Sequence, residues 1–152
     1  MSATFSTARD EILDAFKTAW DAGAGALNSG TVPTVFWDGV PEPVDKPHDA
    51  PWARIQIRHG LGGQTGIGRN SPQSRFTKTG VVTVQVFQPL AQPGLSQSEG
   101  LAEVAKSAFE GVSTASCVIF RNVRINEVGA TDAWYQMNVL AEFEYDEFVD
   151  TP

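Results

Sequence analysis

The chain has 152 residues, a formal net charge of −7, 41% hydrophobic and 19% charged residues, which is the size and composition of one folded domain. The acidic balance argues against a general nucleic-acid binder, which needs a basic surface to displace counterions from phosphates. One cysteine, Cys117, excludes an internal disulfide. Without a signal-peptide pattern or an apolar run of about 20 residues, we expect synthesis in the cytoplasm and no membrane contact.

The first half of the chain predicts one helix and two strands. Apolar residues recur at three- and four-residue spacing over residues 7–22, with Thr7 as the N-cap of the helix. A short strand over residues 34–37 is followed by a proline-rich arm, residues 40–51. Its four prolines exclude a central strand, so the arm crosses the surface or reaches a neighbour. Strict alternation over residues 52–59 predicts a strand with one wet side.

The second half predicts a strand, a helix and two further strands. Residues 76–88 alternate again, and Ser96 with Glu99 forms a capping box that opens a helix reaching about residue 112. Strands follow over residues 117–128, beginning at a buried Cys117 and bulged near Asn122, and over residues 134–148.

The element order α-β-β-β-α-β-β indicates an α+β fold in a single domain over residues 1–152, with its core at about 7–148. We expect a mostly antiparallel mixed sheet of four to five strands with two helices packed on one face.

A glycine-rich segment, residues 60–74, lies between two predicted strands. Residues 63–70 fit the glycine spacing of a phosphate-binding loop, but Arg69 and Asn70 stand where that loop needs lysine and a hydroxyl, and no helix follows. The segment therefore predicts a flexible hairpin loop that contacts another chain. The candidate interface residues are Gly60, Gly62, Gly63, Gly66, Gly68, Arg69 and Arg75.

Charge is unevenly distributed along the chain. Residues 50–98 contain five basic and no acidic residues, whereas residues 132–152 contain six acidic and no basic residues. Either the fold neutralises the two regions within one subunit, or they are complementary faces that meet between subunits of a head-to-tail ring. Glu142, Glu144 and Asp146 form the candidate acidic face, because alternate residues of a strand share one side.

Tests for chemistry give no enzyme, cofactor or metal prediction. The Glu142 and Glu144 carboxylates have nearly the spacing of an inverting glycosidase pair, but a row of this kind is also the ordinary wet face of a sheet. Asp45, His48 and Asp49 lie in a loop that fixes no coordination geometry. A small cytoplasmic hydrolase that uses Glu142 and Glu144 stays as a distant alternative.

Several segments in combination resemble a known family. They are the capped first helix, Val35-Phe-Trp-Asp-Gly39, Trp52-Ala-Arg-Ile-Gln-Ile57, the glycine-rich segment, Thr79-Gly-Val-Val-Thr-Val-Gln-Val-Phe87, the second helix and the aromatic and acidic last strand. Over residues 7–148 the chain resembles the tail terminator, or tail completion, proteins of long-tailed bacteriophages, including the lambda gpU-like group.

The resemblance implies a non-enzymatic virion protein at the head-proximal end of the tail. It implies a homo-hexameric ring that caps the tail tube, ends its polymerisation and offers a surface to the head-completion or connector protein. Genomic DNA would pass through the lumen without specific binding, and the acidic face would line the lumen or meet a neighbour. Residues 60–74 and 40–51 would be the assembly segments. The alternative is a tail-tube or head–tail adaptor subunit.

Overall fold

A computed structural model describes residues 3–67, 73–91, 93–131 and 133–150. Two helices and five strands follow one another in the order that the sequence predicts. They are α1 (Phe5–Gly23), β1 (Thr34–Phe36), β2 (Trp52–Ile67), β3 (Gln73–Pro89), α2 (Ser96–Ser107), β4 (Ile119–Thr131) and β5 (Trp134–Asp150), with a short 3-10 turn (Gly25–Asn28) after α1.

The five strands form one sheet in the order β1-β2-β3-β5-β4. Only β1 and β2 are parallel, and every other pair is antiparallel, so the predicted mixed sheet of an α+β fold is confirmed. A parallel pair needs a connection that returns along the sheet. Residues 37–51, which include the proline-rich arm, are that crossover connection.

The core forms where one face of the sheet meets apolar side chains from both helices. Across the sheet, Ile55 of β2, Val84 of β3 and Val139 of β5 lie in register. They belong to one buried cluster with Phe16 of α1 and Leu101 of α2. The alternate residues of β3 are only half-buried over most of the strand, so the two faces of the sheet differ in burial.

Both helix starts differ from the predicted caps. The N-cap of α1 is Thr4, whose backbone is extended and whose hydroxyl accepts a hydrogen bond from the Thr7 N–H at 3.1 Å. The capping box at Ser96 does not form, because Leu95 is the N-cap and the Glu99 N–H donates to the Leu95 carbonyl at 2.9 Å. The Gln88 side chain of β3 instead accepts a hydrogen bond from the Ser98 N–H at 2.8 Å. The second helix ends at Ser107, well before residue 112, and a turn follows.

The glycine-rich segment is mostly strand, so the prediction of a loop over residues 60–74 is wrong. Residues 62–67 pair with residues 74–78, and bulges on the β2 side absorb one extra residue at each of two places. Glycine weakens a strand, but here β3 is held by β5 on its other side and acts as a template for β2. Residues 68–72, which include the candidates Gly68 and Arg69, lie outside the described residues.

The start of β4 also differs from prediction. Cys117 is not the buried first residue of a strand but an exposed turn residue with a φ of 63°. The strand begins at Ile119. The predicted bulge is confirmed, since the register shifts between Arg121 and Arg124 and Asn122 has a φ of 52°.

Candidate assembly surfaces

Three strands continue past the core and form what we call the distal extension: residues 60–67 of β2, 73–78 of β3 and 146–150 of β5. On these strands the large core side chains end at Ile57, Val82 and Tyr145. Beyond them, residues 60–64 are all exposed. The extension is therefore held by backbone hydrogen bonds more than by apolar packing.

At the base of the extension, aromatic side chains from α1, β2 and β5 contact one another. The His59 ring shares a hydrogen bond with the Tyr145 hydroxyl at 2.9 Å, and the Phe5 ring lies 4.1 Å away between centroids. Burial, with the positive charges of Arg9 and Lys78, lowers the pKa of His59, while burial raises the pKa of Tyr145. Both rings are therefore uncharged at neutral pH.

The candidate glycines lie along the exposed strand of this extension. Gly60, Gly62, Gly63 and Gly66 are all in β2, and none of them has a positive φ. A Cβ at Gly63 would meet nothing within 4 Å, whereas one at Gly62 would meet only the flexible side chain of Lys78. These glycines keep the surface bare of side chains and do not relieve backbone strain.

The candidate acidic face carries ion pairs and hydrogen bonds within the subunit. Glu144 pairs with Arg121, and Glu142 accepts a hydrogen bond from the Asn122 amide at 2.8 Å. Asp146 accepts one from the Thr77 hydroxyl at 2.8 Å, and its Oδ2 lies 3.6 Å from Nε of Arg75. Arg75, a candidate of the basic region, thus meets a candidate of the acidic face inside one subunit.

The proline-rich arm crosses the surface of its own sheet. Both carboxylate oxygens of Glu42 accept hydrogen bonds from Arg54, at 2.6 and 2.8 Å. These bonds hold the pKa of Glu42 below its usual value, against the effect of burial. The Trp134 indole N–H donates to the Pro47 carbonyl at 2.9 Å, and His48 stacks on the same indole at 5.0 Å.

An aromatic cluster lies beside the proline-rich arm, on the face of the sheet opposite the helices. Trp52 is 2% exposed and stacks on Phe87 at 3.9 Å, with Trp134 edge-on at 5.9 Å. The guanidinium of Arg54 and the ammonium of Lys46 lie over the Trp52 ring. The arm and this cluster together make a second, small packed layer.

Asp38 is a structural residue that the sequence did not reveal beyond an Asp-Gly turn. One carboxylate oxygen accepts from the Ile57 N–H at 2.9 Å and pairs with Arg9 at 2.8 Å and Arg58 at 3.0 Å. Burial acts against the charged form, but these bonds outweigh it and hold the pKa of Asp38 below its usual value. Asp38 thereby ties β2 to α1.

Two further properties bear on the kind of site. Among the described residues, no group of three His, Cys, Asp or Glu side chains is placed to hold a metal ion. Neither helix in the described ranges has the length and apolar character that crossing a bilayer requires.

Comparisons with known proteins show the fold. No protein-family model and no curated protein matches the chain. One similar solved structure, whose title states no function, has a TM-score of 0.58 and 17% identity over 90% of this chain and 94% of that one. A chain from a structure titled "Virion of native gene transfer agent (GTA) particle" has a TM-score of 0.52 and 14% identity over 94% of this chain and 99% of that one. At these identities the likeness is one of fold.

Proposed function

We propose that this chain is a structural subunit of a phage-like virion and, within it, the tail terminator. The observation that carries the proposal is the end-to-end match with the gene transfer agent virion chain, which covers 94% of this chain and 99% of that one. The resemblance in local sequence supports the finer assignment. In this role the chain forms a homo-hexameric ring on the tail tube at the head-proximal end of the tail and presents a surface to the head connector.

The distal extension supports an assembly role. The Ile57 N–H donates a hydrogen bond to Asp38. Beyond Ile57, the outer edge of β2 has no strand partner among the described residues. Open strand edges are templates for pairing with another chain, and monomeric proteins usually cover them. An edge that projects past the core and is rich in glycine suits contact with a neighbouring subunit or ring.

The acidic face fits a structural role better than a catalytic one. Glu142 and Glu144 are held by Asn122 and Arg121, so a hydrolase that uses this pair would first have to break those contacts. The same contacts reduce the repulsion that the face would exert on DNA. In our proposal the free passage of genomic DNA rests on the net charge of −7 and not on this row.

Particles made without this gene test the proposal. We expect overlong, headless tails in negative-stain images, because nothing halts tube growth. An absence of tails would instead indicate a tail-tube subunit, and normal particles would exclude both roles. The Glu142→Ala/Glu144→Ala double variant, supplied in trans, should restore normal tails. If this variant does not restore them and an enzymatic activity is lost with the two carboxylates, the hydrolase is favoured.

Sedimentation of the purified protein separates the structural alternatives. A terminator forms closed rings of fixed mass that bind tail-tube ends and stop further growth. A tube subunit polymerises without limit, so its sedimentation coefficient keeps rising with concentration.

A further inference from the structure

The distal extension consists of three strands, because β1 and β4 do not reach it. β1 pairs with residues 52–54 of β2, and the pairing of β5 with β4 ends at Glu144. The extension is therefore β2-β3-β5, with β3 paired on both sides. In the described part of the chain, no strand pairs with the outer side of β2 over residues 58–67 or of β5 over residues 147–150. We call these two stretches the β2 edge and the β5 edge.

The β2 edge has open backbone groups and no charged residue beyond Arg58. The Ile57 N–H donates to Asp38 at 2.9 Å, so it points away from β3. In an antiparallel ladder the outward direction recurs at every second position. The partners of Ile57 and Gln64 on β3 are residues 82 and 76, an even number of positions apart, so the Gln64 N–H also points outward. Leu61, between them, is 85% exposed.

The β5 edge has open backbone groups as well. The Asp146 carbonyl accepts a hydrogen bond from the Ala3 N–H at 3.2 Å, so its backbone faces the side away from β3. Phe148 is two residues further along β5, and its backbone groups therefore point the same way. Phe148 and Val149 are 41% and 45% exposed. Rows of outward backbone groups are templates for pairing with a further strand.

The two edges fit each other in direction and in level. β2 and β5 are both antiparallel to β3, so they run the same way, and β3 keeps them roughly 10 Å apart within one subunit. Through β3, Gln64 lies level with Glu147, the neighbour of Phe148. A rotation about an axis along the strands therefore brings the β5 edge of one copy beside the β2 edge of the next with little shift along the strands. A contact between two different surfaces closes into a ring only without such a shift.

Charge disfavours the pairing of two β5 edges. The extension has three acidic residues, all on β5, against Arg75 and Lys78 on β3. Two paired β5 edges would bring Glu147 and Asp150 of one copy towards the same residues of the other. β2 contains no acidic residue, so a β5 edge meets no like charge there.

We propose that the distal extensions of neighbouring copies form one continuous sheet, in which the β5 edge of one copy pairs in parallel with the β2 edge of the next. The outward N–H and C=O groups bond across the contact, and the contact covers Leu61, Phe148 and Val149. Each copy offers a different edge to each of its two neighbours, so the contact is heterologous and closes as a ring. This inference rests on the proposed assembly role and names the strands that carry it.

Single prolines test each edge. Proline has no N–H and its ring blocks the approach of a partner strand, but at an outward position it removes no ladder bond within the subunit. We expect Gln64→Pro and Phe148→Pro each to remain folded in urea denaturation. Both should be monomers in sedimentation velocity where the wild type forms rings, with self-association weakened at least roughly tenfold. The controls Gln64→Ala and Phe148→Leu keep the N–H and should form rings.

Mixing the two proline variants identifies which edges meet. Gln64→Pro keeps its β5 edge and Phe148→Pro keeps its β2 edge, so a 1:1 mixture should give dimers and no rings. Dimers of Phe148→Pro alone would show that β2 pairs with β2 of a second copy, and the inference would fail. Rings in either proline variant, or monomers in the mixture, would overturn it as well.

Hydrogen exchange of the unmodified protein makes the test independent of how the proline variants fold. On ring formation the amides of Gln64 and Phe148 should exchange roughly tenfold more slowly or less, because each gains a partner across the contact. The amide of Gly63, which faces β3 by the same alternation, should change little. Rings in which Gln64 and Phe148 exchange as fast as in the monomer would overturn the inference.

The outcome for the wild type keeps this inference distinct from the proposed function. If the wild type neither forms rings nor binds tail-tube ends, the assembly role fails, and the edge pairing fails with it. If the wild type and both proline variants all cap tubes as rings, the assembly role stands and only the edge pairing fails.

Discussion

The same strands of this protein have different environments at their two ends. At the proximal end, Trp52 and Phe87 are buried, and the Trp134 indole beside them donates a hydrogen bond to the Pro47 carbonyl of the proline-rich arm. At the distal end, both β2 and β3 continue past the core, and residues 60–64 are exposed. Burial is therefore concentrated at the proximal end, and the distal end has an open strand edge, which in our proposal meets a partner.

The largest effect should follow truncation at the proximal end. Trp52→Ala removes an indole that stacks on Phe87 and is buried beneath the arm. We expect the free energy of unfolding to fall by about 3–5 kcal/mol, the usual cost of removing a buried aromatic ring. Urea denaturation measures it, and Leu61→Ala at the distal end should change it by less than about 0.5 kcal/mol. Equal losses would mean that the two ends do not differ.

A single methyl group added at Gly80, on the boundary between the two ends, should lower the stability of the fold. A Cβ at Gly80 would overlap the Phe143 ring and the Arg58 carbonyl oxygen, so we expect Gly80→Ala to cost about 1–3 kcal/mol. Gly63→Ala is the matched control in the extension, where a Cβ meets nothing within 4 Å. Thermal unfolding should leave the control at or slightly above wild-type stability, because alanine restricts the unfolded chain. A destabilised control would contradict the open surface described here.

The Asp38 contacts should make the stability of the fold sensitive to acid. The folded pKa of Asp38 lies below its usual value of 3.8, so the folded state binds fewer protons than the unfolded state in that range. Its contribution is therefore complete at neutral pH and is lost as the pH falls below about 4.

Asp38→Asn isolates this contribution. We expect a loss of about 1–2 kcal/mol at pH 7, since bonds to a charged group are weakened, and little loss at pH 3. Urea denaturation between pH 7 and pH 3 should give a flatter curve for the variant. Parallel curves for variant and wild type would show that Asp38 does not carry the dependence.

The smallest effect on stability should come from shortening the extension. Replacing residues 63–77 by a two-residue Asn-Gly turn joins Gly62 to Lys78, which are paired in the sheet. We expect unfolding free energy to change by about 1 kcal/mol or less, because few apolar contacts are removed. If the proposed assembly role holds, ring formation, measured by sedimentation, should be lost. A shortened protein that still forms rings would show that the extension is not an assembly element.

The elements of the proximal half can be predicted from the sequence, because apolar and polar side chains alternate there with the face of the sheet on which they lie. Alternation in β2 over residues 52–59 and in β3 reflects contact with the helices, and the predicted bulge at Asn122 reflects a break in such alternation. Residues 60–67 show no comparable alternation, because this segment is rich in glycine and glycine has no side chain. Their strand structure is imposed by β3, which is itself held by β5.

Contacts between distant residues explain what the sequence could not reveal. The Gln88 side chain accepts a hydrogen bond from the Ser98 N–H, and Asp38 reaches Ile57. Each of these partners is fixed by packing and not by local spacing.

The placement of the aromatic cluster determines which optical signal reports on which end. The four tryptophans are Trp20, Trp37, Trp52 and Trp134, and none lies in the extension. Trp20 and Trp37 pack around Phe16 in the core, while the other two belong to the arm-covered cluster. Indole emission therefore follows the proximal half alone. Fraying or docking of the extension would be invisible to fluorescence and would register in amide hydrogen exchange.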